Sequence, residues 1–202
     1  MTALSDVITG VRYDLRDTDS TQYVDAELVV YANRARVQLD AALGSINSEW
    51  VSATGTLSLS SGDNYVALPS DFASDRSIWY GSNRMQKKSV GWIVAERLSS
   101  SSGLPYYWAV NGLNVLFERD ADTDYSFTIH YNSKQPAWTT ASTMPYNDEF
   151  NDSIAMMIAF QAKSRNELGA ATEASMFNYL RDAALQKAVR RNFVPKRRRL
   201  DF

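Results

Sequence analysis

The 202-residue sequence predicts an α+β fold: a helical bundle built from both ends of the chain, an inserted antiparallel β subdomain, and an extended basic C-terminal tail. Three observations predict it. Apolar residues recur at helical spacing in 1–46 and 146–191, whereas 54–133 alternates with a period of two between turn signals. The end of the chain, Pro195-Lys196-Arg197-Arg198-Arg199-Leu200-Asp201-Phe202, is strongly basic. The expected divisions are therefore 1–46 with 146–191 as one discontinuous bundle, 50–140 as the insertion, and 192–202 as the tail.

The first helix is expected over Ala3–Arg16, where Leu4, Val7, Ile8, Val11 and Leu15 make one stripe and Gly10 weakens it locally. Asp17-Thr18-Asp19-Ser20-Thr21 is a loop. Asp25 is placed to cap the second helix, because its carboxylate can accept an orphan backbone N–H. Leu28, Ala32, Ala35, Leu39 and Ala42 continue that helix, and Gly44 sits where a left-handed residue would end it.

The β segment opens near Thr54 with the alternation Thr56-Leu57-Ser58-Leu59-Ser60. Ser61-Gly62-Asp63-Asn64 reads as a turn before Tyr65–Pro69. Ser77–Tyr80 and Met85–Val90 are expected to pair across Gly81-Ser82-Asn83. One short helical turn fits Gly91–Leu98, and Ser99–Gly103 is a loop. Asn111-Gly112, between Tyr106–Val110 and Leu113–Phe117, is the strongest hairpin signal, since both residues tolerate the positive φ of a type I′ turn. Asp120–Asp124 turns the chain again. Tyr125, Phe127, Ile129 and Tyr131 then alternate with Ser126, Thr128, His130 and Asn132, as in a half-buried strand.

After Pro145 a third helix is expected near Asn147. Asp148, Glu149 and Asp152 lie in its first turns, where the helix dipole favours acids, and Phe150, Ile154, Met157, Ile158 and Leu168 form its buried face. A fourth helix is expected over 171–191, ending in Arg190 and Arg191 before Pro195.

Composition narrows function. There is no cysteine, so no disulfide framework and no thiolate metal site is expected. No apolar run of membrane-spanning length occurs, and the start of the sequence lacks the features of a signal peptide. The net charge of −2 is uneven: residues 186–202 carry seven basic residues against one acid, a charge of +6, which leaves −8 for residues 1–185. A basic end on an acidic body suits an acidic partner surface or nucleic acid.

The catalytic inventory is thin. His130 is the single histidine, and its place on the polar side of a strand favours a surface role over that of a general base. Asp148, Glu149 and Asp152 are explained by their place at a helix start. Asp120, Asp122 and Asp124 alternate like part of a calcium loop, but the sixth and twelfth positions hold Tyr125 and Tyr131 instead of Gly and Glu. No Gly-rich phosphate loop is present. The aromatics Trp79, Trp92, Tyr106, Tyr107 and Trp108 suit β-sheet packing better than a ligand-stacking platform. No cofactor and no enzymatic activity are expected. The tail residues Arg190, Arg191, Lys196, Arg197, Arg198 and Arg199, with Leu200 and Phe202 as apolar anchors, are the candidate partner-docking site.

The order of these elements resembles the head-to-tail adaptor (connector) proteins of tailed bacteriophages, including the tail tubular protein A type. The resemblance rests on Tyr23–Ala35, on Tyr65-Val66-Ala67-Leu68-Pro69-Ser70-Asp71-Phe72, on Gly103-Leu104-Pro105-Tyr106-Tyr107, on the strand ending at Tyr131 before Pro136, and on helices at 147–191 with a basic end. Residues 118–124 depart from the Pro-rich strand exit expected there. The resemblance implies a virion protein assembled in the host cytoplasm. It would form a homo-oligomeric ring of twelve copies, with the helical part on the portal and the β insertion toward a tail nozzle or other tail protein. DNA would pass through the lumen without sequence-specific binding. Two other readings remain open at this point: a nucleic-acid-binding protein that uses the basic tail, and a carbohydrate-binding module or glycosidase that uses the aromatic β segment.

Overall fold

The computed structural model describes residues 2–46, 48–146 and 150–167, together with Tyr179 and Asp182. The fold is α+β, with four α-helices and two four-stranded sheets among the described residues. The sheets are antiparallel apart from one two-residue parallel pair. The described residues divide into two compact units, one formed by those up to Val51 and those after Lys134, the other by Ser52–Lys134.

In the first unit α1 (Leu4–Leu15) and α2 (Asp25–Ser45) pack against α4 (Asn151–Glu167). Their stripes meet in one core: Leu4, Val11, Leu28, Leu39, Ile154 and Ile158 are all fully buried. Burial of such a side chain contributes roughly 1.5–3 kcal/mol, so this shared core holds together helices far apart in sequence. Leu168 and the fourth helix expected over 171–191 lie outside the described residues, as does the 192–202 tail.

Two expectations for α2 are corrected. The helix starts at Asp25 after Val24, and no side chain caps it. The Asp25 carboxylate instead accepts from Arg12 Nη2 of α1. Gly44 stays helical, and the helix ends at Ser45 with Ile46 following. A single turn of 3₁₀ helix, Glu49–Val51, closes this part of the unit.

The second unit contains β1 (Ser52–Leu59), β2 (Tyr65–Ala67), β3 (Phe72–Tyr80), β4 (Asn83–Arg84), β5 (Gln86–Lys87), α3 (Val90–Arg97), β6 (Tyr107–Asn111), β7 (Asn114–Phe117) and β8 (Tyr125–Ser133). The orders are β1-β8-β3-β4 and β2-β7-β6-β5. Leu57, Ile78, Phe127 and Ile129 of one sheet share a core with Trp108, Val115 and Phe117 of the other, and the Phe117 and Phe127 rings stack at 5.0 Å. Ser61–Asn64 does turn the chain, but it carries it from one sheet to the other.

Two hairpin expectations are also corrected. β6 and β7 pair as Asn111↔Asn114, so the turn is Gly112-Leu113 and not Asn111-Gly112. Only Gly112 takes a positive φ, of 62°, as a type II′ turn requires. The shift moves the register by two, so each side chain keeps its face; Leu113 goes into solvent and Trp108 lies opposite Phe117. The segment expected over Met85–Val90 is split. β3 turns at Gly81-Ser82 into Asn83–Arg84, after which Gln86–Lys87 pairs with β6 in the other sheet. Buried Met85 bridges the two, its N–H donating to Ile78.

Candidate assembly surfaces

The docking residues expected from sequence, Arg190, Arg191, Lys196, Arg197, Arg198, Arg199, Leu200 and Phe202, lie outside the described residues, as do Asp148 and Glu149. Asp152 is in the first turn of α4 and exposed.

The helical unit is held by polar clamps that the sequence did not suggest. Asp17 accepts hydrogen bonds from the N–H groups of Thr21, Gln22 and Tyr23 and from Arg12 Nη1 at 3.0 Å. The Gln22 N–H bond is the largest influence that holds its carboxyl below the ordinary 3.8, and the Tyr23 and Thr21 bonds add to it against the effect of burial. The α1–α2 loop is thus wound around one carboxylate, with Arg12 joining it to Asp25.

A second clamp runs along one side of α2. Asn33, Arg36 and Asp40 are spaced by three and four, which puts them on adjacent turns of one face. Asn33 hydrogen-bonds both backbone groups of Trp138; Arg36 donates to the Gln135 carbonyl and pairs with Asp40 at 3.3 Å; Asp40 accepts from the Tyr146 hydroxyl. Burial raises the Asp40 carboxyl above its usual value, and burial together with the Asp40 charge raises the Tyr146 phenol. The segment 135–146, which leads from β8 back to α4, is thereby strapped to α2.

In the β unit the five aromatics singled out from sequence do not form one platform. Trp108 is buried in the core. Trp79 is partly buried, its Nε1 donating to Ser77. Trp92 and Tyr107 meet edge to face at 4.8 Å, and Lys88 Nζ sits 5.3 and 5.1 Å from their ring centres. Tyr106 is exposed, with the Arg119 guanidinium 5.6 Å from its ring. A small cavity of about 200 Å³ is lined by Tyr80, Arg84, Leu104, Pro105, Tyr106 and Tyr107.

Glu118, fully buried, organises this face. Its two oxygens accept from the N–H groups of Tyr106 and Tyr107 at 2.9 and 3.0 Å, and Arg119 Nε is 3.2 Å away. It follows the Trp108↔Phe117 pair, so the carboxylate continues the β6–β7 ladder with side-chain atoms. No sequence pattern marks it beyond a glutamate at the end of an apolar strand.

His130 is half-buried, its Nδ1 3.0 Å from Thr54 Oγ1 of the paired strand. Asp120, Asp122 and Asp124 do not converge: they accept from Asn64 Nδ2, the Tyr125 hydroxyl and the Ser61 N–H respectively. Asp122 is the main reason the Tyr125 phenol is pushed up to about 12. Among the described residues no group of three or more His, Asp or Glu side chains is placed to hold a metal ion, and no helix is long and apolar enough to cross a membrane.

The clamps at Asp17, Asp40 and Glu118 hold segments of the chain to one another. Residues 2–199 match the family described as SU10 adaptor protein, and the chain belongs to this family of phage head-to-tail adaptors. The search of curated proteins finds no match. Membership makes the chain a structural component of the phage virion that interacts with other head and tail proteins, a role that is generally non-enzymatic.

Proposed function

We propose that copies of this chain form a ring of twelve between the portal and the tail, in the manner of the tail tubular protein A type, and that DNA passes through its lumen. The observation that carries the reading is a family match spanning the whole helix–insertion–helix sequence, residues 2–199. The two-part body, 1–46 with 146–191 and the inserted 50–140, would face the portal with its helices and the tail with its β insertion. The charge distribution supports this: a net −8 over residues 1–185 keeps a lumen from gripping phosphates, which would slow the DNA. Each ring contact would be heterologous, joining two different faces of neighbouring copies.

The segment 192–202, with Arg190 and Arg191, would dock on the portal. Its cations gain most from an acidic groove, and Leu200 and Phe202 would add roughly 1.5–3 kcal/mol each if fully buried. Native mass measurement and negative-stain imaging of the full chain, with and without portal, test the reading. Twelvefold rings on the portal are the expected result; a monomer indifferent to portal would refute it.

The seven basic residues from Lys187 onward favour a second reading, DNA binding by the tail. If all seven neutralised phosphates, log affinity for duplex would fall with log salt at a slope of about −6. A salt series with full-length and truncated chains separates the two.

A further inference from the structure

The longest open strand edge in the β unit belongs to β1. Ser52–Leu59 pairs with β8 in eight unbroken steps, and among the described residues no strand lies on its other side. In an antiparallel pair every second residue aims its N–H and C=O away from the partner. No described group hydrogen-bonds those outward positions in β1. Ser52, Thr54, Thr56 and Ser58 are exposed beside them.

Exposed edges invite pairing with another strand, and proteins guard them by brevity, charge, proline or bulges. The other edges of this unit are guarded. β2 has three residues, and β4 and β5 have two each. β3, beyond the reach of β4, carries two register shifts, and its Asp75 is ion-paired with Lys87. β1 has none of these devices: it is regular, contains no charge and no proline, and is eight residues long. Among the described strand edges of this unit, β1 is the one without such a guard.

We propose that β1 accepts an extended segment of the tail-side neighbour as a fifth strand beyond β1-β8-β3-β4. This rests on the reading that the β insertion faces the tail. The backbone supplies affinity; the side chains set the chemistry of the partner. β1 offers hydroxyls on one face and Ala53, Gly55, Leu57 and Leu59 on the other, so the incoming segment is uncharged and alternates polar with apolar residues. A basic segment finds no acid here. A second copy pairing β1 with β1 about a two-fold axis would point the two copies in opposite directions. A head-to-tail adaptor has different neighbours at its two ends, so its copies point one way.

The probe is tails purified from the same phage without the adaptor, mixed with the full-length chain. Hydrogen exchange at the outward β1 amides should slow on mixing. Gly55→Pro and Thr56→Pro form a matched pair, because adjacent residues direct their N–H groups to opposite sides: one substitution removes a bond to β8 and the other an outward donor. The outward variant should melt as the wild type does and bind tails about tenfold more weakly or worse, the effect of losing backbone hydrogen bonds. Wild-type tail binding that leaves β1 exchange unchanged, or an outward variant that binds as tightly as the wild type, overturns the strand pairing alone. A wild-type chain that ignores tails altogether overturns the tail-facing reading and this inference with it. If both proline variants unfold, exchange on the wild type still decides.

Discussion

Asn33 and Trp138 are joined by a reciprocal pair of hydrogen bonds: Asn33 Nδ2 donates to the Trp138 carbonyl at 2.9 Å, and the Trp138 N–H donates to Asn33 Oδ1 at 2.8 Å. One side-chain amide thus satisfies both backbone groups of a residue 105 positions later. The Trp138 ring beyond it is buried in the helical core, edge to face with Tyr146. Asn33→Ala should therefore cost roughly 1–3 kcal/mol, the penalty for leaving sheltered backbone groups unpaired. Urea denaturation followed by tryptophan fluorescence checks it; stability unchanged from the wild type would show that water replaces the amide without loss.

Asp17 sets a pH signature. Its folded value is held below the ordinary 3.8, chiefly by the Gln22 N–H, so its contribution is present above that value and is lost as pH falls through the folded one. Asp17→Asn should be less stable than wild type at neutral pH, since an amide nitrogen would face the loop N–H groups. The gap should close in acid. Paired denaturation curves from neutral pH to below 3.8 are the measurement; a gap independent of pH would sink the assignment.

Asp40 has the opposite sign. Burial raises its folded value, so the stability linked to it is present at low pH and is lost as pH rises through the folded value. Asp40→Asn should flatten this part of the pH profile while still accepting from Tyr146. Tyr146→Phe, which deletes the donor beside a sheltered carboxylate, should cost roughly 1–3 kcal/mol at neutral pH. Equal pH profiles for wild type and Asp40→Asn would count against the clamp.

Glu118→Ala strips a fully buried carboxylate from two N–H groups and from Arg119. The expected loss is about 1–3 kcal/mol for each of the two N–H groups left unpaired. Amide exchange at Tyr106 and Tyr107 should accelerate ahead of the rest of the β unit. Global unfolding without that local acceleration would assign Glu118 a different role.

Deletion of 194–202 should abolish attachment to the portal and leave the described fold intact. Far-ultraviolet circular dichroism reports the fold, and co-sedimentation with portal reports attachment. A truncated chain that still attaches would move the docking site elsewhere.

Local elements were legible in the sequence because local rules determine them. The stripe of α1 and the alternation of β8 through Tyr131 follow from spacing, and the short helical turn expected over 91–98 is an eight-residue helix over Val90–Arg97. What failed depends on distant partners. Asp25 has a cap's chemistry, but Arg12 takes its carboxylate. Asn111-Gly112 has a turn's chemistry, but the sheet settles two residues along with Gly112 alone at positive φ. Asn132 reads as outward-facing and is buried, held by Arg76 and Ser74. Sorting the strands into two sheets requires the pairing of Ser52 with Asn132, which no window of sequence contains. Glu118 gave no signal because a single glutamate has no period. The residues expected to meet the portal lie outside the described structure, so the fold does not bear on them.

The pairing of Ser52 with Asn132 has a consequence for how the protein is made. The β unit begins and ends on neighbouring strands, so all its contacts exist once residue 134 has emerged from the ribosome. The helical unit must wait for α4, described over Asn151–Glu167. At about 5–20 residues per second, the completed α1–α2 pair waits roughly 6–24 seconds for its partner. Their apolar stripes are exposed throughout that interval, which makes the nascent N-terminal helices the stage at which this chain is most open to aggregation and most dependent on chaperones.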